Sequence, residues 1–303
     1  MSSNIYWPVY KNIESEFNNL MFVIPIDDNQ LNVYSSKISD LILRASTEIE
    51  SISKELYKLN GGIKTKNIKY DEDALTYLNT LWNLENKKVI ISSYNCFLTS
   101  KELIPFQKNE PRTGNSRLTY SWNNAYQNLK HDRASSLHFG SIKYLIDVTA
   151  ALYVLNLYFK NDKFDGKDDA LGNNFDSSLG STIYNIKLHI NQTINLEQNF
   201  HKNSDFDECV YLLKPTDSSI EFMQNTINSL NNQLKEVVKG DIYKKLEMLQ
   251  GITHDTQIQP NIQSIIDETI NENRIKVFQE NGYKLNDAHK RLRYEIELNK
   301  NKY

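Results

Sequence analysis

The sequence predicts a mainly α-helical protein: a helical bundle with a small β element, followed by a second helical region. Three observations support this prediction. The 303 residues include only 10 glycines and 6 prolines, whereas average usage of about 12 % would give roughly 36. Apolar residues recur at helical spacing in several segments. One segment, 137–159, is apolar on nearly every face, as expected for the central helix of a bundle.

The clearest helix begins at Ser35 or Ser36, either of which can cap it. Its apolar residues fall on one helical face, and they are Ile38, Leu41, Ile42, Ala45, Ile49, Ile52 and Leu56. Gly61 and Gly62 are expected to end it, because glycine readily adopts the left-handed conformation that closes a helix.

The rest of the N-terminal half is predicted to be helical with one strand. Further helices are expected over 9–21, 71–84, 118–129 and 137–159. Ser135 or Ser136 would cap the last of these. Residues 87–98 are β-branched and aromatic and favour a strand, and the polar segment 101–116 is expected to be a loop.

We expect a domain boundary at residue 160. Residues 1–160 would form the helical domain, and residues 161–303 a regulatory, dimerisation or partner-binding region. The second region begins with a loop over 161–181 and continues with short strand elements. Beyond residue 218 we expect three helices, with breaks near Gly240, Pro260 and Gly282; the last of them, 285–300, is strongly charged.

The overall charge excludes a globally basic nucleic-acid binder. There are 35 Lys and Arg residues against 38 Asp and Glu residues, a formal net charge of −3, so phosphate contacts would need a local basic patch. The two cysteines form no CxxC motif. The N-terminus lacks a signal-peptide pattern, and no apolar run reaches transmembrane length. We therefore expect a cytoplasmic protein with no membrane contact.

One segment, 111–144, is more basic than the rest of the chain. Only Asp132 opposes five cations, which are Arg112, Arg117, Lys130, Arg133 and Lys143. A helix N-terminus in this segment would add positive potential. A ligand that carries phosphate is therefore the expected partner, and the alternative is a solvated connection between helices.

Arg133 and His138 lie five residues apart in this basic segment. If Arg133 lies in the turn and His138 in the first helical turn, both can reach one surface. A histidine can move the proton of an RNA 2′-hydroxyl or of the leaving oxygen, and an arginine fork can hold the phosphate. The pair suits RNA transesterification without a metal or cofactor. The alternative for His138 is a core histidine bonded to a backbone carbonyl.

Residues 122–133, WNNAYQNLKHDR, precede an apolar helix that contains Ala150-Ala151-Leu152-Tyr153. Together they resemble the W…Y-N-x-x-K-H-x-R signature of bacterial proteins of the HEPN superfamily, with Gln127 where the signature has Asn. The similarity extends to the N-terminal residues Tyr10, Glu14 and Phe17. It covers roughly residues 5–160 and leaves 161–303 unassigned.

The resemblance implies a helical bundle that dimerises, with the R-x4–6-H motifs of two protomers facing one cleft. It also implies a metal-independent endoribonuclease of an antiphage or toxin–antitoxin system, with RNA, a second copy of the chain and an antitoxin or sensor protein as partners. Arg133 and His138 would be the motif pair. Ala134 departs from the pattern, because members carry a polar residue there. In a second register Tyr126 takes the Arg position and His131 becomes the catalytic histidine.

Five further residues are expected to assist. Four would contact RNA phosphates, and they are Lys130, Asn128, Arg117 and Lys143. Glu48, at the edge of the apolar face of the 36–59 helix, would orient Arg133 or His131. The alternative for Glu48 is an exposed ion pair with Arg44, four residues earlier.

Two other function classes remain open. Tyr126 at the alternative Arg position and Ala134 after Arg133 favour a non-catalytic module that binds a partner protein or a nucleotide, with the charged segment 285–300 as a docking helix. A metal-dependent nuclease would need a carboxylate cluster, which the sequence lacks, and the scattered histidines show no metal-ligand spacing. No metal site is predicted.

Overall fold

The protein is mainly helical, as the sequence predicts, and small sheets complete it. The computed structural model describes residues 4–91, 97, 99–190, 202–252 and 262–303, and 56 % of the structure is helical. The helices within these ranges are α1 (Tyr6–Val23), α2 (Ser36–Leu59), α3 (Leu75–Trp82), α4 (Ser121–His131), α5 (Ile142–Lys160), α6 (Asp217–Ile252), α7 (Ile262–Glu280) and α8 (Gly282–Lys290).

Nine short strands form three sheets in the described part of the chain. They are β1 (Val89–Ile91), β2 (Lys101–Leu103), β3 (Lys108–Pro111), β4 (Leu118–Tyr120), β5 (Phe164–Lys167), β6 (Tyr184–Ile186), β7 (Leu188–Ile190), β8 (Tyr211–Pro215) and β9 (Tyr294–Leu298). The sheet orders are β2-β1-β6, β3-β4 and β5-β9-β8-β7. All neighbours are antiparallel except β7 and β8.

Helix α2 follows the prediction closely. The Ser35 side chain caps it by accepting a hydrogen bond from the Ile38 amide at 3.1 Å. All seven apolar residues predicted for its inner face are buried. The helix ends at Leu59, and Gly61 takes a φ of +90°, a conformation that glycine adopts without a steric penalty.

Helix α5 is the centre of the core. Fourteen of its 19 residues are buried, and it packs against α1, α2 and α4. By length and composition alone it could cross a membrane, but 78 % of that window is buried inside the protein. This burial fits the central helix that the sequence predicts for the bundle.

The start of α5 differs from the prediction. It begins at Ile142 rather than at residue 137, and neither Ser135 nor Ser136 caps it; residues 137–139 form a separate 3₁₀ turn. The physical reason is a backbone pairing with the segment before α2. The Ile142 amide donates to the Val33 carbonyl at 3.1 Å, and the Ser35 amide donates to the Gly140 carbonyl at 3.1 Å. This pairing gives a hydrogen-bond acceptor to the Ile142 amide, which has no partner within its own helix because it lies in the first turn.

Three predictions for residues 71–129 are wrong in detail. The segment 101–116, expected to be a loop, contains β2 and β3, and residues 118–120 form β4 rather than the start of a helix. The expected 71–84 helix is divided into a π turn (Tyr70–Ala74) and α3. Of the predicted strand 87–98, residues 89–91 form β1, while 92–96 and 98 lie outside the described residues.

The C-terminal region also departs from its pattern. Helix α6 continues through Gly240, where a break was expected, and the charged final helix ends at Lys290. Residues 294–298 form β9 instead, so the predicted docking helix 285–300 is wrong. Ile296 and Leu298 alternate in this strand and are buried, which is the two-residue period of a sheet.

Strand pairing crosses the predicted boundary at residue 160. Strand β6 pairs with β1, so that Val89 faces Ile186. One apolar core includes residues from both sides of the boundary, such as Ile146, Tyr211 and Leu298. Residues 1–160 therefore share their core with part of 161–303, and the division into two functional regions stays a prediction.

Gly140 offers a test of the pairing between α2 and the start of α5. A Cβ added there would overlap Ser39 Oγ. We expect Gly140→Ala to lower the free energy of unfolding by about 1–3 kcal/mol, a typical effect of overpacking, as measured by urea denaturation. Gly240→Ala is the matched control, because a Cβ at Gly240 meets nothing within 4 Å. Equal stabilities of the two variants would contradict this packing.

Candidate functional site

The turn between α4 and α5, residues 130–139, carries the predicted motif pair on the surface. Arg133 and His138 are both exposed, and the His138 ring lies 4.4 Å from that of Phe139. His138 is therefore not the buried core histidine of the alternative interpretation. We refer to residues 130–139 as the α4–α5 turn.

Arg133 is anchored on the first turns of α2. Its Nη2 donates to Asp40 Oδ1 at 2.6 Å and to the Ser36 carbonyl at 3.1 Å. Both charged side chains are partly exposed, 41 % for Arg133 and 57 % for Asp40. Among the described residues, Nε and Nη1 of Arg133 have no partner, so these donors remain available to an anion.

Glu48 does not hold the role expected of it. The carboxylate that contacts Arg133 is Asp40, and Glu48 lies eight residues further along α2, about 12 Å along the helix axis. Partial burial raises the pKa of Glu48. The described structure shows no ion pair between Glu48 and Arg44, although the Arg44 charge opposes the rise in the pKa of Glu48. The Arg44 guanidinium donates to Asn12 Oδ1 at 2.6 Å.

The second motif register consists of Tyr126 and His131, and one of these two residues lies inside the core. Tyr126 is only 4 % exposed, and burial raises the pKa of its hydroxyl. Lys130, which is exposed, donates to that hydroxyl at 3.3 Å, and its ammonium lies 5.1 Å from the ring centre. His131 is exposed at the end of α4. Tyr126 thus contacts Lys130 from the core side, and His131 faces solvent.

Three expected phosphate contacts have partners within the protein. Asn128 donates to Thr113 Oγ1 at 2.9 Å. Lys143 lies 3.5 Å from Glu110, and Arg117 lies 3.5 Å from Glu72. Thr113, Glu110 and Arg117 all belong to the β3–β4 hairpin, residues 108–120. Asn128 and Lys143 therefore help to hold this hairpin against α4 and α5.

Sequence reasoning missed Asp40 and a second carboxyl, Asp147. The Ser121 hydroxyl donates to Asp147 Oδ2, and burial raises the pKa of Asp147 to about 6. The signal was present in the sequence, since Asp147 is the only acid in the apolar segment 137–159. For Asp40 no local signal exists, because its partner Arg133 is 93 residues away.

Other parts of the described structure do not add to this surface. A cavity of about 750 Å³ is lined by residues of α6 and α8. A second cavity, of about 460 Å³, is lined by residues around β5. Within the described ranges, no three His, Cys, Asp or Glu side chains are grouped so that they could hold a metal ion.

Comparison of the chain with protein-family models, with curated proteins and with solved structures gives no match. The described residues form a mainly helical fold with three small sheets. The resemblance to the HEPN superfamily stays a prediction that depends on the residues quoted above.

Asp147 gives a pH test of its buried environment. Its pKa in the folded protein is about 6, above the usual value of about 3.9, so the unfolded chain loses this proton first as pH rises. The contribution of Asp147 to the free energy of unfolding should therefore fall between about pH 4 and pH 6, by about 2 kcal/mol.

The test compares urea denaturation of the wild type and Asp147→Asn across this pH range. Asparagine cannot ionise and still accepts the Ser121 hydroxyl, so the variant should be the more stable protein at neutral pH and should lack this part of the decline. Parallel pH profiles for the two proteins would show that Asp147 titrates normally.

Proposed function

We propose that the protein is a metal-independent endoribonuclease of the HEPN type, acting as a homodimer. The observation that supports this proposal is the α4–α5 turn, where Arg133 and His138 are both exposed and Arg133 is anchored by Asp40. Burial in the core would have excluded both residues from contact with RNA.

In the proposed reaction the RNA 2′-hydroxyl attacks the adjacent phosphorus, and the bond to the 5′-oxygen of the next nucleotide breaks. Arg133 would hold the non-bridging phosphate oxygens through Nε and Nη1 and offset their charge in the transition state. His138 would accept the 2′-hydroxyl proton or protonate the leaving 5′-oxygen. The motif of the second protomer would serve the other proton transfer.

The biological setting of the proposal depends on the sequence resemblance. An RNA-cleaving effector of an antiphage or toxin–antitoxin system would need a partner, an antitoxin or a sensor, that restrains it. Helix α6 has 36 residues, about 54 Å in length, and packs along α7 and α8. These helices are our candidate for the regulatory or partner-binding region.

A second function is supported by a specific contact. The ion pair between Arg133 and Asp40 partly neutralises the cation that would hold the phosphate. A non-catalytic module that binds a partner protein or a nucleotide would tolerate this pairing. A stable partner that co-purifies with a protein devoid of nuclease activity would favour this second function.

The first test is RNA cleavage in the presence of EDTA. We expect the wild type to cleave single-stranded RNA and His138→Ala to lose at least about 100-fold in rate, the usual contribution of a general acid or base. His289→Ala is the matched control, because His289 is also exposed but lies in α8. His131→Ala separates the two registers, since only the second one requires His131.

No cleavage of any RNA by the wild type at high protein concentration would exclude the nuclease function. Cleavage that remains at the wild-type rate in both His138→Ala and His131→Ala would exclude both histidines as catalytic groups, and with them the HEPN-type mechanism.

Asp40 is expected to act as a positioning residue for Arg133. Asp40→Asn should change the free energy of unfolding by less than about 1 kcal/mol, as is usual for an exposed pair, yet lower kcat/KM for RNA by about 10-fold (~1.4 kcal/mol). Combining it with Arg133→Ala should produce no further loss. Glu16→Gln, which removes the Lys37–Glu16 pair between α1 and α2, is the control.

An additive loss in the double variant would contradict the positioning role of Asp40. So would an equal loss of activity in Glu16→Gln.

A further inference from the structure

The β3–β4 hairpin is a basic surface that the proposed reaction does not use. It carries three exposed cations, Lys108, Arg112 and Arg117. All three border one shallow depression, so they share a face of the hairpin. The only acid among residues 108–120 is Glu110, which accepts hydrogen bonds from Asn124 at 2.8 Å and Tyr144 at 2.9 Å.

Uncharged contacts help to fix the hairpin beside the α4–α5 turn, in addition to the Lys143–Glu110 pair. The Thr113 amide donates to Asn124 Oδ1 at 3.0 Å, and Asn128 donates to Thr113 Oγ1 at 2.9 Å. Asn128 lies three residues before the end of α4, about 4.5 Å along the helix axis. The hairpin tip is therefore a near neighbour of His131 and the turn that carries Arg133.

The positive charges of the hairpin are only weakly neutralised by neighbouring acidic side chains. The Arg112 guanidinium has no ion-pair or hydrogen-bond partner in the described part of the chain. Arg117 is 68 % exposed and lies 3.5 Å from Glu72, but that carboxylate also accepts a hydrogen bond from Lys69 at 2.7 Å, which lowers the pKa of Glu72. Asp71 is the other acid beside the depression. The two arginines thus retain most of their donors for an external anion.

We propose that the β3–β4 hairpin is a second phosphate-binding surface, which holds a single-stranded RNA on one side of the cleaved linkage. This inference rests on the proposed ribonuclease function. Arg112 and Arg117 would each contact a backbone phosphate, because a guanidinium fork matches the geometry of phosphate oxygens. Backbone contacts of this kind position a strand without reading its sequence.

The experiment measures binding of a short fluorescent single-stranded RNA by anisotropy, in a His138→Ala background that prevents cleavage. Arg112→Gln combined with Arg117→Gln should raise Kd at least 5-fold and reduce the salt dependence, with the slope of log K against log salt smaller by about 1.4 for two lost contacts. In the cleaving protein the same pair should raise KM and leave kcat unchanged.

Two controls separate charge from folding. Arg274→Gln combined with Arg291→Gln removes two exposed arginines of the C-terminal region and should leave Kd unchanged. Arg112→Lys combined with Arg117→Lys keeps both charges and should restore the salt dependence, while circular dichroism confirms that each variant is folded.

The outcomes test the hairpin surface and the proposed ribonuclease function separately. Unchanged RNA binding in the Gln variant would overturn the hairpin surface, even if cleavage still requires His138. Hairpin-dependent RNA binding by a wild type that cleaves no RNA would support the surface and remove the nuclease function. Binding of polyglutamate in place of RNA would overturn the surface as an RNA site and identify an acidic protein partner.

Discussion

The burial of α5 on nearly every side is the constraint on which the rest of the structure depends. An apolar helix must be removed from water, and α1, α2 and α4 provide most of its cover. Buried polar side chains along it donate hydrogen bonds within the protein, while Asn156 Oδ1 is buried without a partner among the described residues. Thr149 donates to the Leu145 carbonyl at 2.6 Å, and Asn156 donates to the Leu152 carbonyl at 2.9 Å. Because neighbouring elements pack against the sides of α5, exposed polar residues lie near its ends.

The start of α2 lies beside the N-terminal end of α5. Backbone pairing between residues 31–35 and 140–143 fixes the start of α2 beside the start of α5. The same arrangement brings Asp40 within reach of Arg133. The exposed position of the α4–α5 turn is thus a consequence of core packing, and the partner of each charged residue is decided by which helix ends meet.

Local sequence signals predicted some elements well. Elements that depend on contacts between distant segments were predicted poorly. Helix α2 was predicted well, with its cap narrowed to Ser35 or Ser36, because its apolar periodicity over 24 residues and a serine cap are local signals. The start of α5 and the β3–β4 hairpin could not be predicted in this way, since both depend on segments that meet only in the fold. Strand β9 was hidden because five alternating residues lie among charged, helix-favouring neighbours. A turn at Arg133 was predicted, but His138 was expected in the first turn of the apolar helix and lies in a separate 3₁₀ turn, and the anchoring Asp40 was not predicted.

The position of β9 has a consequence for how the chain can be shortened. Among the described residues, strand β5 pairs with β9 alone. Phe164 pairs with Ile296 about 130 residues later, a contact of long sequence separation that forms slowly. A fragment that stops before Tyr294 would leave β5 unpaired and one edge of β8 open. Bare strand edges are templates for aggregation. The helical half and the C-terminal strands are therefore best produced as one uninterrupted polypeptide.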